Sequence, residues 1–117
     1  MFNFEKLVVW EKAIDFADLV YANTRSFPAD ERFGLTNQMR RAAVSVSSNI
    51  AEGSSRSSKT DFARFIEIST GSLFEVVSQA FIARRQHFLT DDQFHALYTA
   101  AEEQSRMQSG LRKSLFV

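Results

Sequence analysis

The sequence predicts an all-α chain, folded as an antiparallel, up-down-up-down four-helix bundle. Two observations carry this. Apolar residues recur at three- and four-residue steps along every long segment, the signature of amphipathic helices rather than strands. Helix-breaking punctuation is scarce, with one proline and four glycines in 117 residues, which favours long elements joined by short connections and hence antiparallel neighbours.

The first helix is expected near 6–26. Leu7, Trp10, Ile14, Ala17, Tyr21 and Thr24 share one face, and Phe27-Pro28 ends the helix because the residue before proline avoids helical angles. The second element spans 29–53. Pro28, Asp30 and Glu31 suit its opening turn, and Gly34 divides a short turn from the main helix. Its stripe is Leu35, Met39, Ala42, Ala43, Val46 and Ile50, and Gly53 is expected as its C-terminal cap before the linker Ser54-Ser55-Arg56-Ser57-Ser58. The third helix, 59–88, is the longest at roughly 45 Å. Ser58-x-x-Asp61 fits a capping box, and the inward stripe runs from Phe62, Phe65 and Ile66 through Ser69 and Leu73 to Val76, Val77 and Ala80. Thr90, with Gln93 three residues on, caps the fourth helix, 91–114. There Phe94, Leu97, Tyr98, Ala101, Leu111 and Leu115 face inward. Ser105 and Gln108 fall on that same face, so its far end is expected to pack less securely.

One domain over 1–117 accommodates all four helices. The absence of cysteine excludes disulfides and thiolate metal sites. The start, Met1-Phe2-Asn3-Phe4-Glu5-Lys6, lacks the basic-then-apolar run of a secretory signal, and no stretch of about 18 uncharged apolar residues suggests a membrane span. A cytoplasmic protein with no membrane partner is the expectation. Fourteen basic residues balance fourteen acidic ones, so no global field draws the chain to nucleic acid. Residues 32–64 are nonetheless locally basic, with Arg32, Arg40, Arg41, Arg56, Lys59 and Arg64 against only Glu52 and Asp61.

The third helix carries more apolar surface than one core requires. Phe74, Phe81 and Phe88 line one flank at seven-residue steps, Ile68 and Ile82 lie well off the stripe, and Gly71 lies nearly opposite it. A glycine there costs about 1 kcal/mol relative to alanine, which makes sense if another helix backbone approaches closely. The competing reading is a broad core stripe with scattered surface hydrophobes. The pattern predicts self-association.

Two constellations could carry function. A polar seam, Gln38, Ser45, Asn49 and Glu52, keeps to one side of the second helix. It could bind a ligand, but it suits bonding to neighbouring helices or subunits better, since no nucleophile-and-base pair accompanies it. The basic set Arg40, Arg41, Arg56, Lys59 and Arg64 could meet phosphates of RNA or DNA. Charges on helices are more often solvated or paired four residues apart, as Glu102 and Arg106 are expected to be. His87 and His95 do not complete a metal site, no phosphate-cradling glycine loop is present, and no catalytic residue, metal or cofactor is expected.

Several runs stand together in a specific order: Val9-Trp10-x-Lys12-Ala13; Phe27-Pro28-x-x-Glu31-Arg32-Phe33-Gly34-Leu35-Thr36-x-Gln38; Arg40-Arg41-Ala42-Ala43-Val44-Ser45-Val46; Ser48-Asn49-Ile50-Ala51-Glu52-Gly53; and Gly71-Ser72-Leu73-x-Glu75. From about Phe4 to Leu115 the chain resembles the bacterial four-helix-bundle proteins called 23S rRNA-intervening sequence proteins. The resemblance implies a bundle that assembles as a ring-like homopentamer. Some members are encoded within insertions in large-subunit ribosomal RNA genes, many others are not, and their activity is unassigned. The family also looks similar to the accessory proteins of diversity-generating retroelements, pentamers whose basic surface binds nucleic acid and a reverse transcriptase. This chain departs in its zero net charge, and in Ser47, where members often have a proline that kinks the helix. No catalytic residues come with the family. The resulting expectation is a non-enzymatic oligomeric bundle acting as a structural or nucleic-acid-associated accessory protein, with the arginines of residues 40–64 meeting RNA or DNA if anything does. The alternative is a protein-interaction adaptor that docks a partner through its exposed apolar faces, and a more remote one is a small-molecule or metal site inside the oligomer.

Overall fold

The computed structural model describes residues 1–116. A 3-10 turn (Asn3–Lys6) leads into α1 (Val8–Thr24), and a second (Ala29–Glu31) precedes α2 (Leu35–Ser54); α3 (Lys59–Arg85) and α4 (Asp91–Ser114) follow. No strand occurs among the described residues. The helices pack in a ring of neighbours, α1 on α2, α2 on α3, α3 on α4 and α4 on α1, and the backbones of the diagonal pairs do not come within 8 Å of each other. The result is a rod 44 × 23 × 21 Å.

The α2–α3 pair is the most extensive of the four contacts. At its tight end Gly53 is buried against α3: a Cβ there would lie 2.7 Å from the Phe65 Cβ and 2.9 Å from the Phe62 Cδ1. The expectation that Gly53 caps the helix is therefore corrected. It sits inside α2 without a positive φ, and its missing side chain lets two helices touch. Further along, the buried Ser69 hydroxyl donates to the Val46 carbonyl at 2.7 Å, which satisfies a polar group that would otherwise be costly inside the core.

On α1 the fully buried face is Val9, Ala13, Phe16, Val20 and Thr24; of the expected stripe, Leu7, Trp10 and Ala17 pack partly buried against this core, while Ile14 and Tyr21 do not reach it. Both sets have helical spacing, so periodicity alone does not choose between them. The structure buries the one with Phe16 and Val20 and leaves Ile14 and Tyr21 at the rim, 36% and 37% exposed. Thr24, common to both readings, closes its own helix by donating to the Val20 carbonyl at 2.8 Å.

The third helix ends at Arg85 rather than 88 because of a Schellman turn. The Phe88 amide donates to the Ala83 carbonyl (2.8 Å) and the His87 amide to the Arg84 carbonyl (3.0 Å). His87 takes the left-handed position usually given to glycine, at φ 63°, and the turn folds Phe88 against Phe27, ring centroids 5.6 Å apart. Of the two expected N-terminal boxes, the one at Ser58 forms only by half and the one at Thr90 forms in full. Ser58 accepts from the Asp61 amide, and Thr90 and Gln93 form the full reciprocal box.

The far end of α4 is packed, contrary to expectation, through polar groups. Gln104 and Gln108 are both buried. The Gln104 amide donates to the Val9 carbonyl (3.0 Å) and to Gln108 Oε1 (2.9 Å), and Gln108 Nε2 donates to Thr70 Oγ1 (3.0 Å). This chain links α1, α4 and α3.

Two stability outcomes follow. Gly53→Ala destabilises the protein by about 1–3 kcal/mol through overpacking against Phe62 and Phe65, read as a lower urea midpoint at unchanged slope. His87→Gly relieves the left-handed strain and raises stability by up to about 1 kcal/mol, read by the same titration.

Candidate functional site

The polar seam of α2 splits in two. Asn49 Nδ2 donates to the Ser45 carbonyl (2.8 Å) and hydroxyl (2.9 Å), and the Ser45 hydroxyl meets the Ser72 hydroxyl of α3 at 2.9 Å. These three half-buried side chains bridge the two helices. Gln38 and Glu52 are exposed, and Glu52 accepts from Arg56 at 3.0 Å, so neither joins the cluster. Beside it, Gly71 faces outward with nothing within 4 Å of where a Cβ would stand.

The basic residues fall in two places about 22 Å apart along α2 at its helical rise. Arg40 is committed internally. Its Nε donates to Thr24 Oγ1 at 2.9 Å, its Nη2 approaches the Tyr21 carbonyl at 3.5 Å, and the guanidinium lies over the Tyr21 ring, 4.6 Å from the centroid. A cation on the last turn of α1 also suits that helix's dipole. Arg41 is exposed. At the α2–α3 connection, Arg56 and Arg64 both stack on Phe65 (4.5 and 4.8 Å), and each has a carboxylate near it, Glu52 for Arg56 and Asp61 at 3.7 Å for Arg64. Lys59, at the first turn of α3, is exposed and has no carboxylate within 4.0 Å among the described residues. The geometry thus leaves Arg41 and Lys59 as the least engaged cations of the five.

The outer flank of α3 meets α4 in an open groove of about 580 Å³. Leu73, Val77 and Ala101 form its floor and Phe74, Phe81 and Tyr98 its walls, with Ser78, Ser105, Glu102 and Arg106 on the rim. Phe74 is 62% exposed and Phe81 42%. The Phe81 ring meets Phe94 edge-on at 4.8 Å and Tyr98 at 6.3 Å, and the Arg84 guanidinium lies 3.9 Å from the Phe94 centroid. Heptad spacing of Phe74 and Phe81 pointed to this flank. The α4 wall was missed because Tyr98 was assigned to the core, and only the register between the helices turns it outward. The expected Glu102–Arg106 pair does not form within 4.0 Å; the ion pairs among the described residues are Lys12–Glu103, Arg56–Glu52, Arg64–Asp61 and Arg112–Glu67.

Among the described residues no group of three histidine, aspartate or glutamate side chains could hold a metal ion. One helix, α3, is long and apolar enough to pass for a membrane span by length and composition. In the bundle that composition serves the core on one side and the open flank on the other. The two arginines of the Arg40-Arg41 pair are separable by mutation. Arg40→Ala lowers stability by about 1–2 kcal/mol through its lost bond and stacking, whereas Arg41→Ala stays within about 0.5 kcal/mol, both read by thermal or urea unfolding.

No curated protein matches the chain. A crystal structure of a protein of unknown function from the S23 ribosomal protein family, from Bacteroides thetaiotaomicron VPI-5482, superposes with a TM-score of 0.81 at 21% identity, over 91% of this chain and 99% of that one. At that identity the likeness speaks for the fold. The family model of the 23S rRNA-intervening sequence protein matches residues 5–110, nearly the whole bundle with all four helices. This chain belongs to the 23S rRNA-intervening sequence protein family.

Proposed function

We propose that this chain is a subunit of a non-catalytic homo-oligomer whose assembled surface serves as an accessory platform for nucleic acid. The observation that carries the reading is the uncovered apolar flank of α3. Ile68, Phe74, Phe81 and Ile82 are 43%, 62%, 42% and 50% exposed, and Tyr98 of α4 stands beside them at 38%. Phe74, Phe81 and Tyr98 line one groove, while Ile82 and Ile68 lie about 80–140° further round α3; the aromatic group at the groove favours a binding surface over scattered exposure. Gly71, outward on the same helix and facing open space, suits the close approach of a neighbouring backbone.

The reading includes a ring-like homopentamer, a cytoplasmic setting, and kinship with the accessory proteins of diversity-generating retroelements. Such a ring repeats Arg41 and Lys59 once per subunit, and so supplies by multiplicity the positive field that a neutral chain lacks. Arg56 and Arg64 add to it where phosphate displaces their present carboxylates. A second reading, an adaptor for another protein, draws on the apolar groove between α3 and α4.

Light scattering at micromolar concentration tests the assembly: the mass is a multiple of 13.3 kDa, and a monomer at every concentration removes the reading. Gly71→Ala sharpens it. If a neighbouring backbone packs there the variant associates more weakly; on a free helix it only adds up to about 1 kcal/mol of stability. For RNA, binding weakens steeply with salt, and Arg41→Ala with Lys59→Ala reduces it at unchanged oligomeric mass. Salt-independent binding supports the adaptor instead.

A further inference from the structure

We propose that Phe33 of one copy docks into the α3–α4 groove of the next copy of this chain, making a head-to-tail contact. This rests on the self-association reading above and names the residues that would carry it.

Phe33 is 86% exposed, an uncommon placement for an aromatic ring in an ordered segment. The loop that holds it is not slack. The Glu31 amide donates to the Pro28 carbonyl (2.9 Å), Arg32 to Ala29 (3.2 Å) and Gly34 to Glu31 (3.0 Å). The Glu31 carboxylate then accepts from the Leu35 amide at 3.1 Å, which caps α2. The ring is thus presented on a hydrogen-bonded scaffold, so docking it costs little ordering entropy. Its own chain does not offer it a seat: the loop joins α1 to α2, whereas the groove lies between α3 and α4, on the other side of the ring of helices.

The groove has the complementary character. Its floor is apolar, its walls are aromatic, and it stands open, so an inserted ring finds edge and face contacts with Phe74, Phe81 and Tyr98. The charges flanking the two features also match. Asp30 and Arg32 stand beside Phe33, with the Arg32 guanidinium 5.4 Å from its ring. Arg106 and Glu102 stand on the groove rim. None of these four has an ion-pair partner within 4.0 Å among the described residues. Docking brings an acid to Arg106 and a base to Glu102, a complementarity that fixes orientation more than it adds affinity. Each copy carries one knob and one groove on different faces. The contact is therefore heterologous, the kind from which rings are built.

Complementation in a mixture tests this. Phe33→Ala removes the knob and keeps the groove; Phe74→Glu blocks the groove and keeps the knob, with Phe74→Ser as a second groove variant. Both positions are exposed, and circular dichroism checks that the helices persist. By sedimentation velocity, each variant alone associates about thirtyfold or more weakly than the unmodified protein, as loss of an aromatic anchor does. An equimolar mixture of the Phe33 and Phe74 variants forms a one-to-one dimer, because one intact knob meets one intact groove. Phe33→Ala assembling like the unmodified protein, or a mixture that gains no dimer, overturns this contact while leaving self-association in place. An unmodified protein that stays monomeric overturns both.

Discussion

The close approach of α2 and α3 is the constraint on which the rest of the bundle depends. Gly53 gives up its side chain so that Phe62 and Phe65 can lie against the α2 backbone. About two turns of helix away, Ser45, Asn49 and Ser72 join the same two helices by hydrogen bonds, with Ser69 tied to Val46 between them. Apolar packing alone leaves two helices free to slide by a turn at little cost. Buried and half-buried hydrogen bonds remove that freedom, because a slip would strand several polar groups without partners. With this register set, α1 and α4 have a defined groove to occupy. The Gln104–Gln108–Thr70 chain fixes α4 against both α1 and α3 in the same way.

That arrangement uses α3 unevenly. Its inner face serves α2 and the shared core, its side serves α4, and its outer flank stays largely open, with Phe81 alone leaning on Phe94 and Tyr98 of α4. A four-helix bundle of this size can bury only one stripe per helix, so the second apolar line of α3 is surplus to folding. The same helix carries both the structural demand and the unspent surface, which ties any assembly of the protein to the helix that organises it. Changes that disturb the core side of α3 should therefore also disturb whatever covers its outer side.

The sequence made the architecture legible because capping signals and periodicity agreed. Pro28, Ser58 and Thr90 mark helix starts by local chemistry that needs no tertiary information. It did less well where two solutions shared one period. On α1 the stripes through Ile14 and Phe16 are equally helical, and only packing against α2 and α4 distinguishes them. Gly53 was legible as a special position but not as a special reason, since a cap and a close contact both ask for glycine. Gln108 read as a weak spot on the inward face of α4, and Gln104 was not singled out, because an amide side chain carries no sign of the partner it will find on another helix. Of the candidate site, the α3 flank was readable from the spacing of Phe74 and Phe81. The engagement of Arg40 with Tyr21 and Thr24 was not, because it crosses between helices.

If the α2–α3 seam organises the bundle, it should be the last part to open. Native-state hydrogen exchange measures this residue by residue. The account predicts that core amides of α2 and α3, around Val46, Ile50, Ile66 and Ser69, exchange only through global unfolding, while those of α1 and α4 open at lower free energy. Amides of α1 or α4 outlasting those of α2 and α3 would contradict it.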